Sequence, residues 1–206
     1  MTLALAALPA LAEPGCAGRL GSGWPAATGN YGSAVETLFQ GQATPVLSMV
    51  MLPARGVESG LAILPAAEGR WVVRSSRADK RVYSESTNAR SFGVQLRVEQ
   101  EPEQHEVAIP AALVQRLRAL WPQALAAQAG PAGSAPFVEG DVLSFTADGQ
   151  RFSGPPLQCR SGRLLMEQAE LLVRASETKE KKLERRWNDL EASLDELQTL
   201  LAGTTG

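Results

Sequence analysis

A chain of 206 residues, 44% of them apolar, is long enough to bury one sizeable core and to carry one appendage, which argues against disorder throughout. Its 20 basic and 22 acidic residues leave a formal charge of -2, so nothing draws the whole molecule to nucleic acid or to an anionic membrane surface. No stretch approaches the roughly 20 apolar residues needed to cross a bilayer, and no transmembrane segment is expected.

The amino terminus reads as an address. Thr2 to Ala12 form an apolar run ending in the small-x-small triplet Ala10-Leu11-Ala12, the tail of a secretory signal peptide over residues 1–12. No Lys or Arg precedes it, so the natural start is expected upstream of Met1. This predicts a periplasmic or secreted protein. Cys16 and Cys159 are its two cysteines, and an even pair in an exported chain predicts a disulfide tying an irregular arm, residues 13–32, to the body. The competing fate of Cys16 is lipidation, but Glu13 stands where a lipobox wants leucine.

Residues 33–175 read as an α+β domain with a mainly antiparallel sheet. Ser33 and Glu36 have capping-box spacing, which predicts a helix over Ala34–Gln40 closed by Gly41. Val46 to Leu52 is nearly unbroken apolar sequence, as in a central strand covered on both faces. Leu61–Leu64 and Trp71–Val73 follow through short polar connections that favour an antiparallel meander. Phe92, Val94, Leu96 and Val98 alternate with polar residues, the clearest strand pattern in the chain.

Charge along this sheet is uneven. Arg70, Arg74, Arg77, Lys80, Arg81, Arg90 and Arg97 face only Asp79 and Glu85 between residues 70 and 98. One reading makes Arg70, Arg74, Arg77 and Arg81 a docking surface for an acidic partner. The other makes the region an ordinary solvated face, neutralised by the Glu99, Glu101, Glu103 and Glu106 that follow. His105, the only histidine, sits among those carboxylates, but zinc wants three or four convergent ligands.

Farther on, Pro110 takes a favoured first helical position, opening a core-packing helix from Ala111 to about Gln128 that buries Leu113, Leu117, Leu120, Trp121 and Leu125. Pro122 is expected to kink or divide it. Residues 129–136, AGPAGSAP, read as a flexible loop. Asp148-Gly149 predicts a tight hairpin that extends the main sheet.

The last segment carries the most regular pattern. Leu183, Trp187, Leu190, Leu194, Leu197 and Leu201 form an apolar seam, so residues 176–206 read as a long amphipathic helix. With the sequence before it, this gives either one helix of roughly 60 Å or two bending near residues 176–180. Glu177–Lys181 and Arg185–Asp189 are spaced for helical ion pairs. The seam must be covered by its own domain or by another chain. In the second case Leu183, Trp187, Leu190 and Leu194 bind a partner or a second copy.

Motifs for chemistry are sparse: there is no P-loop, G-x-G-x-x-G, G-x-S-x-G or C-x-x-C. Ser176 to Lys179 matches S-x-x-K, but without S-D-N or K-T-G. No catalytic, cofactor or metal residue is therefore assigned. The signal-like start, the run from Leu52-Pro53 to Glu58-Ser59-Gly60-Leu61 and the Asp-Gly hairpin before Cys159 resemble in layout the small exported α+β proteins of unknown function of Gram-negative bacteria. Some of those act as immunity proteins. The expectation is a non-enzymatic binding protein, an inhibitor or immunity protein; the alternatives are a cell-envelope hydrolase and a structural protein dimerising through its terminal helix.

Overall fold

In the computed structural model the described residues are 19–88 and 91–203. The proposed signal peptide, Cys16 and Arg90 lie outside them. The chain forms β1 (Leu20–Ser22), α1 (Gly29–Gln40), β2 (Leu47–Leu52), β3 (Ser59–Pro65), β4 (Trp71–Arg77), β5 (Tyr83–Asn88) and β6 (Ser91–Leu96). It continues through β7 (Glu103–Ile109), α2 (Ala111–Gln128), β8 (Ala129–Ser134), β9 (Val142–Ala147), β10 (Gln150–Gly154), α3 (Arg160–Ser176) and α4 (Leu183–Gly203). Eight strands make one sheet in the order β7-β4-β3-β2-β9-β10-β1-β8, antiparallel except for β1 with β8, while β5 and β6 form a separate ribbon. The α+β architecture is as expected.

The central strand explains the layers. β2 lies between β3 and β9, and its side chains alternate between two clusters. Leu47 and Met49 face a core with Leu61, Ile63, Val73, Leu143 and Phe145, whereas Val50 and Leu52 face Val35, Phe39, Val82 and Val142. Helices α2, α3 and α4 cover the first face. Helix α1 and the base of the ribbon cover the second. Phe39 packs so close to Gly60 that a Cβ there would lie 2.7 Å from its ring.

Several local expectations give way to tertiary contacts. Helix α1 begins at Gly29, with Thr28 as N-cap and no side-chain cap bond. Ser33 lies within it, and Glu36 instead binds Arg151 bidentately at 2.6 and 2.8 Å, with that guanidinium 4.5 Å from the Trp24 ring centre. A half-buried fork was the stronger use of that carboxylate. Helix α2 has the expected bounds with Pro110 as N-cap, and it runs undivided through Pro122. Burial of Trp121, Ala124 and Leu125 on both sides of the proline outweighs one lost hydrogen bond.

Two segments read as irregular are strands. Residues 20–22 of the arm pair antiparallel with β10 and parallel with β8, which begins the stretch expected to be a loop. The parallel pair requires Gly21, where a Cβ would sit 2.4 Å from the Ser134 carbonyl oxygen. As an edge strand β8 tolerates Pro131. The Asp148-Gly149 turn, with φ of 47° and 78°, joins β9 to β10 as expected.

The carboxy-terminal region is two helices. Helix α3 ends at Ser176, Lys179 is extended, and a short turn at Glu180–Lys182 leads into α4. The Glu177–Lys181 pair has no helix to sit on, and beyond the turn the pair formed is Arg186–Asp189 at 3.7 Å. Helix α4 runs back along α3. Gln168 joins the three helices, accepting from Trp121 Nε1 at 2.8 Å and donating to the Ser193 carbonyl at 3.1 Å.

Leu190, Leu194 and Leu197 are fully buried in this layer. Leu194→Ala is therefore expected to lower stability by about 2–5 kcal/mol, the range for emptying a packed leucine site, with urea unfolding as the measurement. A loss under about 1 kcal/mol would mean that the seam is not core.

Candidate functional site

The end of the sheet where β2 and β4 finish and β3 and β9 begin gathers the features that are unusual for a simple core. Chain order and register put the 53–58 connection, the start of the ribbon and the 135–141 segment there. The ribbon is held by one buried carboxylate. Glu58 is fully buried and accepts from the Tyr31 hydroxyl, from the Val82 amide at 2.9 Å and from the Tyr83 amide at 3.4 Å. Its own carbonyl accepts from the Ala78 amide at 3.0 Å. A carboxylate so enclosed must have its oxygens bonded, since desolvation otherwise costs several kcal/mol.

Around it the aromatic rings of Tyr31 and Tyr83 lie tilted at 53° with centroids 5.3 Å apart, and Arg81 lies 5.8 Å over the Tyr83 ring. Burial first, then the hydrogen bond to Glu58 and its charge, push the Tyr31 hydroxyl well above its ordinary ionisation range, while the charge of Arg81 pulls it down. Sequence reasoning missed this cluster because Glu58 stands in a polar connection with no pattern to mark it. Only its place between Val57 and the apolar β3 hints at burial.

Beyond its base the ribbon carries apolar surface outward. Val94 pairs across from Glu85 and Leu96 from Tyr83, so all four share a face. Leu96 packs against the second core cluster, whereas Val94 is 52% and Val98 45% exposed. Phe137, 70% exposed, adjoins Val138, which packs on the same cluster. These are the three large apolar side chains left exposed among the described residues. A groove of about 580 Å³ beside Val98 is lined by Asp79, Lys80, Gln95, Leu96 and Arg97. The alternation expected of Phe92, Val94, Leu96 and Val98 thus marks a ribbon outside the main sheet, with only the backbone of Phe92 described.

The basic residues singled out earlier do not form one surface. Arg70 and Arg77 stand at opposite ends of β4, roughly 20 Å apart at about 3.4 Å per residue. Arg70 pairs with Glu68 at 3.6 Å and Arg74 with Glu106 at 2.6 Å, while Arg77 is opposite Glu103 across the ladder. Leu190 and Leu194 face the interior, and Leu183 and Trp187 are half-buried. No helix is long and apolar enough to cross a membrane among the described residues.

A second concavity lies at the carboxy-terminal end of α3. The structure brings Ser75, Ser76, His105, Glu103, Glu177 and Arg77 to a cleft of about 230 Å³. Ser75 is directly opposite His105 in the β4–β7 register, and the Ser176 hydroxyl lies 2.8 Å from that of Ser75 and donates to the Val173 carbonyl at 2.7 Å. His105 pairs with Glu103 at 3.2 Å. The cleft receives the negative end of the α3 dipole and two carboxylates against the single guanidinium of Arg77, a net negative field and the wrong sign for stabilising a developing oxyanion. Among the described residues, no group of three or more His, Cys, Asp or Glu is placed to hold a metal ion.

Comparison with models of protein families, with curated proteins and with solved structures finds no match.

The Tyr31 shift makes a prediction whose sign is fixed. A folded-state value above the unfolded one gives stabilisation that is complete below the unfolded value of about 10 and is lost progressively as pH rises above it. Wild-type stability in urea should therefore drop between about pH 8 and pH 11 by more than that of Tyr31→Phe, which has no such proton to lose. At neutral pH the same variant should be destabilised by about 1–3 kcal/mol, because Glu58 loses a donor. Equal alkaline losses in the two proteins would contradict the assignment.

Proposed function

We propose that this is an exported, non-enzymatic binding protein, of the inhibitor or immunity class, that docks a protein partner through the β5–β6 ribbon and the adjoining end of the sheet. The observation that carries this reading is that Val94, Val98 and Phe137, the exposed large apolar residues among those described, each lie within two residues of Leu96 or Val138, which pack on one core cluster. Isolated surface apolar residues need no explanation, but a group beside a groove is the pattern of an interaction site. The ribbon adds a second argument. Among the described residues β5 and β6 pair as a separate two-stranded ribbon, and a partner strand can extend such a ribbon along β5 through main-chain bonds.

The signal-like amino terminus supports export. The proposed Cys16–Cys159 disulfide belongs to the same reading: Cys159 is the N-cap of α3, where its sulfur accepts from the Gly162 amide at 3.4 Å, so the bond would tether the arm beside β10 and α3. Partner binding through Leu190 and Leu194 would require α4 to leave the core, which makes the ribbon the better candidate.

A cell-envelope hydrolase is the second reading, and what favours it is the cleft that holds His105 and Ser75, the latter hydrogen-bonded to Ser176. The sign of the field there weighs against it.

Val94→Glu should leave stability within about 0.5 kcal/mol, since the side chain is half exposed, while abolishing co-purification of a stoichiometric partner from periplasmic extract. A partner retained by the variant, or none recovered with the wild type, counts against the ribbon. His105→Ala separates the readings: loss of a measured esterase or amidase activity without loss of partner binding would favour the hydrolase.

A further inference from the structure

We infer that the partner supplies an aspartate or glutamate carboxylate, flanked by apolar residues, to the guanidinium of Arg81. This rests on the reading of the ribbon as the docking site and specifies the chemistry that it recognises.

Five arginines are half-buried among the described residues: Arg74, Arg81, Arg116, Arg151 and Arg186. Four of them pair with a carboxylate, Arg74 with Glu106, Arg116 with Asp195 and Arg151 with Glu36 at 2.6 Å each, and Arg186 with Asp189 at 3.7 Å. Arg81 is the exception. Its Nε is buried with no acceptor among the described residues. The neighbouring buried carboxylate does not pair with it: Glu58 bonds instead to the Tyr31 hydroxyl and to the amides of Val82 and Tyr83.

A half-buried guanidinium whose one acceptor is the Tyr31 hydroxyl, with Nε unpaired, is incompletely satisfied, and a carboxylate arriving on its exposed side supplies strong, forked bonds. The surroundings choose the acceptor. Arg81 lies against the Tyr83 ring, on the ribbon face that carries Leu96 and Val94, so the incoming group must arrive with apolar neighbours. Lys80 and Arg97 line the adjoining groove together with Asp79 and Glu99, and Glu85 stands on the ribbon, so with Arg81 the charges balance and nothing here holds an extended polyanion. A single carboxylate on a mostly apolar segment meets both conditions, whereas nucleic acid meets neither.

The test uses the full exported chain as bait for a displayed library of random linear peptides. Selected peptides should be enriched in Asp or Glu beside apolar residues, and should bind Arg81→Gln about tenfold or more weakly than wild type, the effect of removing one charge-assisted bond. Arg81→Lys, which keeps the charge but not the fork, should recover only part of that loss. If Arg81→Gln does not fold, as judged by its thermal melt, Arg81→Lys carries the comparison. Peptides that lose binding to Val94→Glu but show no acidic enrichment and no dependence on Arg81 overturn this inference and leave the ribbon reading intact. Peptides indifferent to Val94→Glu, or no peptide selected at all, overturn both.

Discussion

A strand buried on both faces obliges the rest of the chain to provide two covers, and β2 is that strand. Its odd-numbered side chains need one apolar layer and its even-numbered ones another. The first layer is generous: three helices linked through Gln168, with α4 closing over α2 and α3. The second is thin. A twelve-residue helix and the base of a two-stranded ribbon cover Val50 and Leu52, and neither element is broad enough to finish the task. The exposed apolar residues gather at the margin of that thinner cover, so the asymmetry of the layers and the position of the candidate site have one origin.

Where pattern alone determines structure, the sequence was legible. The apolar run at β2, the amphipathic bounds of α2 and the Asp148-Gly149 turn depend on neighbours within a few residues, and each appears as expected. Features set by distant contacts were not legible. Ala129–Ser134 has the composition of a loop and becomes a strand because the amino-terminal arm pairs with it in parallel. The alternation at Val94 and Leu96 gave the right period but could not say which sheet the strand would join. The terminal seam was visible, yet what covers it depends on the turn at 177–182, where a run of charges with no apolar spacing left both arrangements open.

The site divides in the same way. Arg81 entered as one member of a basic series, and the structure separates it from Arg70 and Arg74 by giving those two carboxylates. Cross-strand pairing of Arg74 with Glu106, and the register of Arg77 opposite Glu103, neutralise the sheet face much as the sign reversal after residue 98 suggests. Glu58 carried no signal, because burial of a single residue in a connection has no periodicity. His105 and Ser176, considered separately in sequence, both meet Ser75, one through strand register and the other by a hydrogen bond from the end of α3; sequence spacing holds no information about that meeting.

The ribbon's anchor bears on whether the ribbon is incidental. Two strands alone are marginal in water, and a loop of apolar residues could fasten them by simple burial. The chain instead commits a carboxylate, which is costly to desolvate and no more stabilising than a well-packed apolar residue would be. What the carboxylate adds is direction: its bonds to two successive amides and to a hydroxyl on α1 fix the ribbon's departure from the sheet, where burial would leave its angle loose. A fixed angle has little value for covering a core. It has value for presenting Val94, Leu96 and Arg81 together on one face, because a docking surface assembled before contact spares the partner the entropy of ordering it.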